Sequence, residues 1–134
     1  MELSPDEAVG WHSPFDELVG TQLVQASGER VVARLAVDQR LHQPAGVVHG
    51  GVYATVIEAI ASTGATLAMD GAGGAVGLGN HTEFLRPVSD GELTFVAEPL
   101  QQGRSVQLWQ ASVTDERGRS IAHGTVRLYN RYED

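Results

Sequence analysis

One segment governs what this chain can become. Residues 50–69, GGVYATVIEAIASTGATLAM, keep a helical period over a length that no other part of the sequence matches. At about 100° per residue, Tyr53, Val56, Ile57, Ile60 and Leu67 fall on one side. Asp70-Gly71-Ala72-Gly73-Gly74 then stops the helix and turns the chain. Everything afterwards reads as strand. Residues 75–86 run to Pro87 and the turn Ser89-Asp90-Gly91, and 92–98 put Leu93, Phe95 and Ala97 inward before Pro99. Residues 104–114 lead into the turn Asp115-Glu116-Arg117-Gly118, and 121–129 carry Ala122, Gly124, Val126 and Leu128 on one face. Ahead of the helix, Val31, Ala33, Leu35 and Val37 alternate with Arg30, Val32, Arg34 and Ala36. Residues 41–48, broken by Pro44 and Gly46, form an irregular loop. One helix against one antiparallel sheet is an α+β layer architecture.

A chain of 134 residues holds one such domain: residues 1–17 are a polar lead-in with a short helix around 15–18, and 18–134 are the domain. Seventeen acidic residues against nine basic ones, all Arg, give a net charge of −8, which disfavours a nucleic-acid partner. With no Cys there is no disulfide, thiolate metal site or Cys nucleophile. The start, MELSPDEAVGWHSPFDEL, lacks the apolar core of a secretory signal, and no apolar run reaches the ~18 residues of a membrane span. The expectation is a cytoplasmic protein that does not engage a membrane.

The second face of the helix carries the functional signal. Gly51, Thr55, Glu58, Ser62 and Thr66 line up there, small residues around a single carboxylate. Exposed helix faces normally carry Lys, Arg, Glu and Gln, so this stripe suggests cover by another chain or the wall of a cavity. A merely solvated Glu58 is the plain alternative, weakened by the lack of any other charge on the helix. His49-Gly50-Gly51 opens the segment. Two poor helix formers at that point fit a close backbone approach, or free N–H groups at the positive dipole end that meet a developing oxyanion. Gly50 and Glu58 lie eight residues apart, roughly 12 Å along a helix. If both act on one bond, they come from two chains.

Gln43-Pro44, the run GVVHGG at 46–51, Glu58 with Ser62, and EPLQQGRSVQLWQASVTDERGR at 98–119 together resemble the hotdog-fold acyl-CoA thioesterases. The likeness is to the PaaI-like branch, with the 4-hydroxybenzoyl-CoA thioesterase of the Arthrobacter type and the menaquinone- and enterobactin-pathway aroyl-CoA thioesterases. The resemblance implies a long central helix wrapped by a curved antiparallel sheet of five to six strands, in a homodimer assembled into a homotetramer. It implies that Gln43 hydrogen-bonds the thioester region, that the Gly50 N–H polarises the thioester carbonyl, and that His49 orients the loop or touches the thioester. Glu58 of the opposing subunit would be nucleophile or general base, with Ser62 positioning the carboxylate or the water. Gly51, His81 and Phe84 would border the substrate, and Gly103, Arg104 and Ser105 the nucleotide end of CoA. Where the menaquinone and enterobactin enzymes have a His before Arg86, this chain has Phe84, making that wall apolar. The implied substrate is an aromatic or medium-chain acyl-CoA. CoA enters as substrate, and no metal or redox cofactor is implied.

His12, His42, His81 and His123 are scattered and do not form a ligand set. Trp109 reads as core or interface. Arg86, Arg104, Arg117 and Arg119 are surface residues, any of which could meet a phosphate. Two rivals stand beside hydrolysis. A hotdog hydratase would need its own His–carboxylate arrangement, and a non-catalytic acyl-CoA-sensing domain would be expected to lack Glu58.

Overall fold

The computed structural model describes residues 1–134, the side chains of Pro5 and Val9 excepted. In chain order the elements are β1 (Glu2–Leu3), α1 (Pro5–Val9), α2 (Pro14–Val19), β2 (Gln22–Ser27), β3 (Val31–Ala36), a 3₁₀ turn (Gln39–Leu41), α3 (Gly50–Ala68), β4 (Gly73–Phe84), β5 (Glu92–Gln102), β6 (Val106–Thr114) and β7 (Ser120–Tyr132). The strands form one sheet in the order β1-β2-β3-β5-β6-β7-β4, antiparallel at every step. Seven strands replace the five to six expected. The surplus lies at the β1–β2 edge, where β1 is two residues long and too short to show an alternating pattern. Pro99 does not end β5 as its sequence suggests. It sits past the last β3 pair, Val31 with Ala97, and next to a bulge, so its missing N–H removes no β3–β5 bond.

The first nineteen residues start their helices with strong local signals. Ser4 with Glu7, and Ser13 with Asp16, form reciprocal capping boxes, each followed by Pro in the first helical turn.

Helix α3 lies against the sheet and buries Tyr53, Val56, Ile57, Ile60, Ala61, Gly64, Ala65 and Leu67. They meet Leu35, Leu93, Phe95, Trp109, Val113 and Leu128 from the strands. By length and composition α3 is apolar enough to cross a membrane, against the expectation that no apolar run is long enough. Its apolar side is committed to the sheet. The far half of the helix is tied down by a polar network inside the core. Gln107 Nε2 donates to the Ala65 carbonyl (3.0 Å) and to Asn130 Oδ1 (2.9 Å), and Trp109 Nε1 donates to Gln107 Oε1 (2.8 Å). Buried amides so satisfied fix helix to sheet, their hydrogen bonds offsetting the cost of desolvation.

Gly64 is required by packing. A Cβ there would lie 2.4 Å from Trp109 Cη2 and 3.0 Å from Val31 Cγ2, and Trp109 is fully buried and cannot swing away. Gly64→Ala should therefore destabilise the fold by about 1–3 kcal/mol, despite the better helix propensity of Ala. Urea unfolding of the two proteins measures this directly.

Strand β4 is twelve residues long and stands at the edge of the sheet, paired on one side only, with β7. Val76, Leu78 and Phe84 are exposed along it, and so is Leu85 just beyond. An edge of that length, free of Pro and carrying a single carboxylate, Glu83, near its end, is a template for another strand.

Candidate active site

His49 is the N-cap of α3, and its Nδ1 accepts the Gly51 N–H at 2.9 Å. The Val52 N–H goes to the His49 carbonyl at 2.9 Å. Among the described residues the Gly50 N–H has no partner, so it is the amide left free at the positive end of a 19-residue helix. The two glycines therefore differ: Gly50 offers a donor, whereas the Gly51 amide is occupied by His49.

Gly50 opens onto a cavity of about 320 Å³ shared with Gln43, Val47, Val48, Tyr53, Phe84, Leu85, Arg86 and Pro87. The Gln43 loop is self-bonded. Its N–H donates to the Val47 carbonyl, its carbonyl accepts from Gly46, and its Oε1 accepts from the Ala45 N–H. That leaves the side-chain NH₂ of Gln43 as a second free donor in the cavity wall. Phe84 presses on Gly50: a Cβ at that position would lie 2.6 Å from the ring. Only glycine admits the ring so close to the helix start.

Glu58 faces a different space. A cavity of about 410 Å³ gathers Glu58 with Ala54, Thr55, Asn80, Thr82 and Phe84. The Glu58 carboxylate lies beside Gly77 of β4, whose added Cβ would be 3.6 Å from its Cδ. Among the described residues no hydrogen bond or ion pair reaches that carboxylate. Asn80 Nδ2 donates to the Ala54 carbonyl (2.9 Å) and Thr82 Oγ1 to Asn80 Oδ1 (2.7 Å), which stiffens the strand opposite it. Phe84 borders both cavities.

The structure thus brings Gln43, Gly50 and Phe84 together and holds Glu58 apart. Ser62, half-buried one turn beyond Glu58, lines neither cavity. His81 lies on the outside of β4, its Nε2 2.7 Å from Glu83 Oε1, and also lines neither. Gly103, Arg104 and Ser105 form the β5–β6 turn near the C-terminal end of α3. Asn130 Nδ2 holds the carbonyls of Gly103 (3.1 Å) and Arg104 (3.2 Å), and Tyr132 Oη donates to the Arg104 carbonyl at 2.6 Å. The whole length of α3, roughly 28 Å, separates that turn from Gly50 in the same chain.

Tyr53 was readable only as core. It is buried, yet it also lines the Gly50 cavity, one helical turn from Gly50, and its hydroxyl has no partner. Burial pushes its phenol up to about 12 from 10.0. Because the folded value lies above the unfolded one, its contribution to stability is complete below about pH 10 and is lost as the pH rises towards 12. Between about pH 9.5 and 11.5 the protein should lose on the order of 2 kcal/mol that Tyr53→Phe does not lose, measurable by urea unfolding at the two pH values. Asn80 and Thr82 were also missed. Their two-residue spacing on a strand facing a lone carboxylate was the available signal.

Comparison with known proteins settles the family. The thioesterase superfamily model matches residues 45–122, more than half of the chain. The chain belongs to the thioesterase superfamily. Its fold is the hotdog fold, and it is an enzyme of the class that hydrolyses thioester bonds. A Mycobacterium tuberculosis protein named as an esterase is 43% identical over 135 residues, covering 97% of this thioesterase-superfamily chain and 96% of the relative. The solved structure bearing that esterase name superposes with a TM-score of 0.89 at 41% identity, over 91% of this chain and 99% of the other. A thioesterase structure from Haemophilus influenzae gives a TM-score of 0.91 at 27% identity, over 97% and 92% of the two chains. The 1,4-dihydroxy-2-naphthoyl-CoA hydrolase of Listeria monocytogenes is 33% identical over 102 residues, covering 76% of this chain and 83% of that enzyme.

Proposed function

We propose that the protein is a cytoplasmic acyl-CoA thioesterase that takes an aromatic or medium-chain acyl group and works at the interface of a homodimer, two of which form a tetramer. The carrying observation is the division of labour along α3. Gly50 and Glu58 stand eight residues, roughly 12 Å, apart along one helix and line two different cavities, which supports a carboxylate supplied by another chain. The unpaired β4 edge supports the rest. Two copies of β4 run antiparallel across a two-fold axis, so the Gly73 end of one meets the Phe84 end of the other. That arrangement carries Glu58 of the second copy towards the Gly50 cavity. It also brings the second copy's Gly103-Arg104-Ser105 turn to the same end, where it serves the nucleotide part of CoA.

The chemistry then follows from the donors present. The thioester carbonyl oxygen accepts from the Gly50 N–H and the Gln43 NH₂, so charge developing on it meets two preset donors and a helix dipole. Glu58 takes a proton from water as the water oxygen bonds to the acyl carbon; the C–S bond then breaks and protonated Glu58 returns that proton to the departing CoA sulfur, leaving the free acid, CoA thiol and the Glu58 carboxylate. In the second route a Glu58 oxygen attacks, CoA leaves, and water hydrolyses the resulting anhydride. Ser62 positions the carboxylate or the water, and His49 keeps the Gly50 amide aimed by holding Gly51. Both routes use only water and these residues, with no metal or redox cofactor. The test is release of CoA thiol from acyl-CoAs ranging from benzoyl to palmitoyl. Steady turnover supports the reading. Binding of acyl-CoA without CoA release would favour a non-catalytic acyl-CoA-sensing domain instead.

A further inference from the structure

Asn80 and Thr82 stand two residues apart on β4 and line the same cavity as Glu58, Ala54 and Thr55. Asn80 Nδ2 donates to the Ala54 carbonyl at 2.9 Å. That carbonyl sits four residues before Glu58, so within α3 it is also the acceptor of Glu58's own N–H. One oxygen therefore receives both the amide of the residue that carries the carboxylate and a side chain from the strand opposite. A carbonyl only accepts, so Asn80 must present its NH₂ there and leave Oδ1 free. Thr82 Oγ1 donates to that Oδ1 at 2.7 Å. Room for the hydroxyl comes from Gly124 on β7, the residue paired with Thr82, where a Cβ would lie 2.8 Å from Thr82 Oγ1. Asn80 is exposed, so burial does not oblige its amide to find a protein partner. The next hydrogen bond between β4 and α3, from the Ala75 N–H to Thr66 Oγ1 at 3.0 Å, lies about two turns beyond Glu58. Among the described residues nothing grips the Glu58 carboxylate itself, so its placement is decided by the backbone turn beneath it.

We propose that Asn80 is a positioning residue: its amide, oriented by Thr82, ties the turn of α3 that carries Glu58 to β4, the strand along which a second copy pairs. This rests on the reading of Glu58 as base or nucleophile in a site completed by another chain. In such a site Glu58 has to be placed relative to the partner, and β4 is the element through which the partner is met. A turn free to drift from β4 would carry the carboxylate away from the neighbouring Gly50 amide. A misplacement of about 1 Å costs on the order of 10²-fold in rate. Asn80 itself touches no reacting atom and acts through Glu58.

The test pairs CoA release from benzoyl-CoA and octanoyl-CoA with backbone amide exchange in the ligand-free protein, for wild type and Asn80→Ala. The Glu58 amide should exchange about fivefold faster in the variant, the worth of one hydrogen bond. Amides of residues 64–67, whose end of α3 is held by Gln107, should keep the wild-type rate. In turnover, Asn80→Ala should lower kcat about 10- to 100-fold and leave KM within about twofold. Added to Glu58→Ala, it should cost less than about twofold more, because no carboxylate is left to position. Thr82→Ser, which keeps the hydroxyl, should retain more of kcat than Thr82→Val. The proposal is overturned if Glu58 protection is unchanged in Asn80→Ala, if all of α3 loosens together, or if the variant loses kcat equally with and without Glu58. The two readings separate cleanly. If wild type releases no CoA, the thioesterase reading falls, and a Glu58 amide that alone loosens in Asn80→Ala still supports the tie. If wild type turns over and Asn80→Ala matches it in kcat, only the positioning role falls.

Discussion

Glu58→Ala should lower kcat/KM for acyl-CoA by about 10²–10⁴-fold, the range expected when a positioned base or nucleophile is removed. Its folded structure should be untouched. Glu58 is exposed, and among the described residues it makes no hydrogen bond or ion pair that the fold would lose. The substitution also shortens a side chain whose carboxylate lies beside Gly77 and opens into a cavity. CoA-thiol release and thermal unfolding, measured on the same preparation, separate the two effects. A small activity loss, or a large one accompanied by a fallen melting temperature, would remove Glu58 from the chemistry.

The second large effect concerns the Gly50 amide. Gly50→Ala and Gly50→Pro both introduce a Cβ that must displace the exposed ring of Phe84, and Pro adds a Cδ where the N–H pointed, so the Ala variant controls for the Cβ alone. Only Pro removes the N–H, and at the first helical position Pro is well tolerated by the backbone. If the Gly50 amide stabilises the oxyanion, Gly50→Pro should fall a further 10²–10³-fold, roughly, below Gly50→Ala in kcat/KM. The comparison is made on matched acyl-CoA kinetics, with circular dichroism to show that α3 forms in both. Equal activities would mean that the amide is not aimed at the substrate.

How far these sites could be read from the sequence varies residue by residue. Helix α3 was legible to within a residue because its stripe, its glycine-rich stop and its length all agree. The edge strand β1 was not, since two residues carry no period. Gln43, Gly50 and Phe84 were singled out by type and position, and the fold brings them to one cavity. The difference between Gly50 and Gly51 was hidden because His is not among the usual N-caps, and only its ring geometry reveals which amide it occupies. Tyr53 was placed correctly on the buried face, but whether a buried hydroxyl has a partner depends on neighbours brought in from β4 and β5. The separation of Glu58 from Gly50 was the most informative sequence inference. It follows from helix geometry alone, and the two residues line different cavities.

The central claim is that one active site takes Gly50 from one chain and Glu58 from another, and subunit mixing tests it most directly. Gly50→Pro and Glu58→Ala proteins, each nearly inactive alone, are unfolded together in equal amounts and refolded. Random pairing makes half the dimers mixed, and each mixed dimer holds one intact site and one doubly defective site, so about one quarter of wild-type activity should return. If the mixture stays at the level of its inactive parents while mixed dimers are shown to form, both groups act within a single chain and the shared site is wrong.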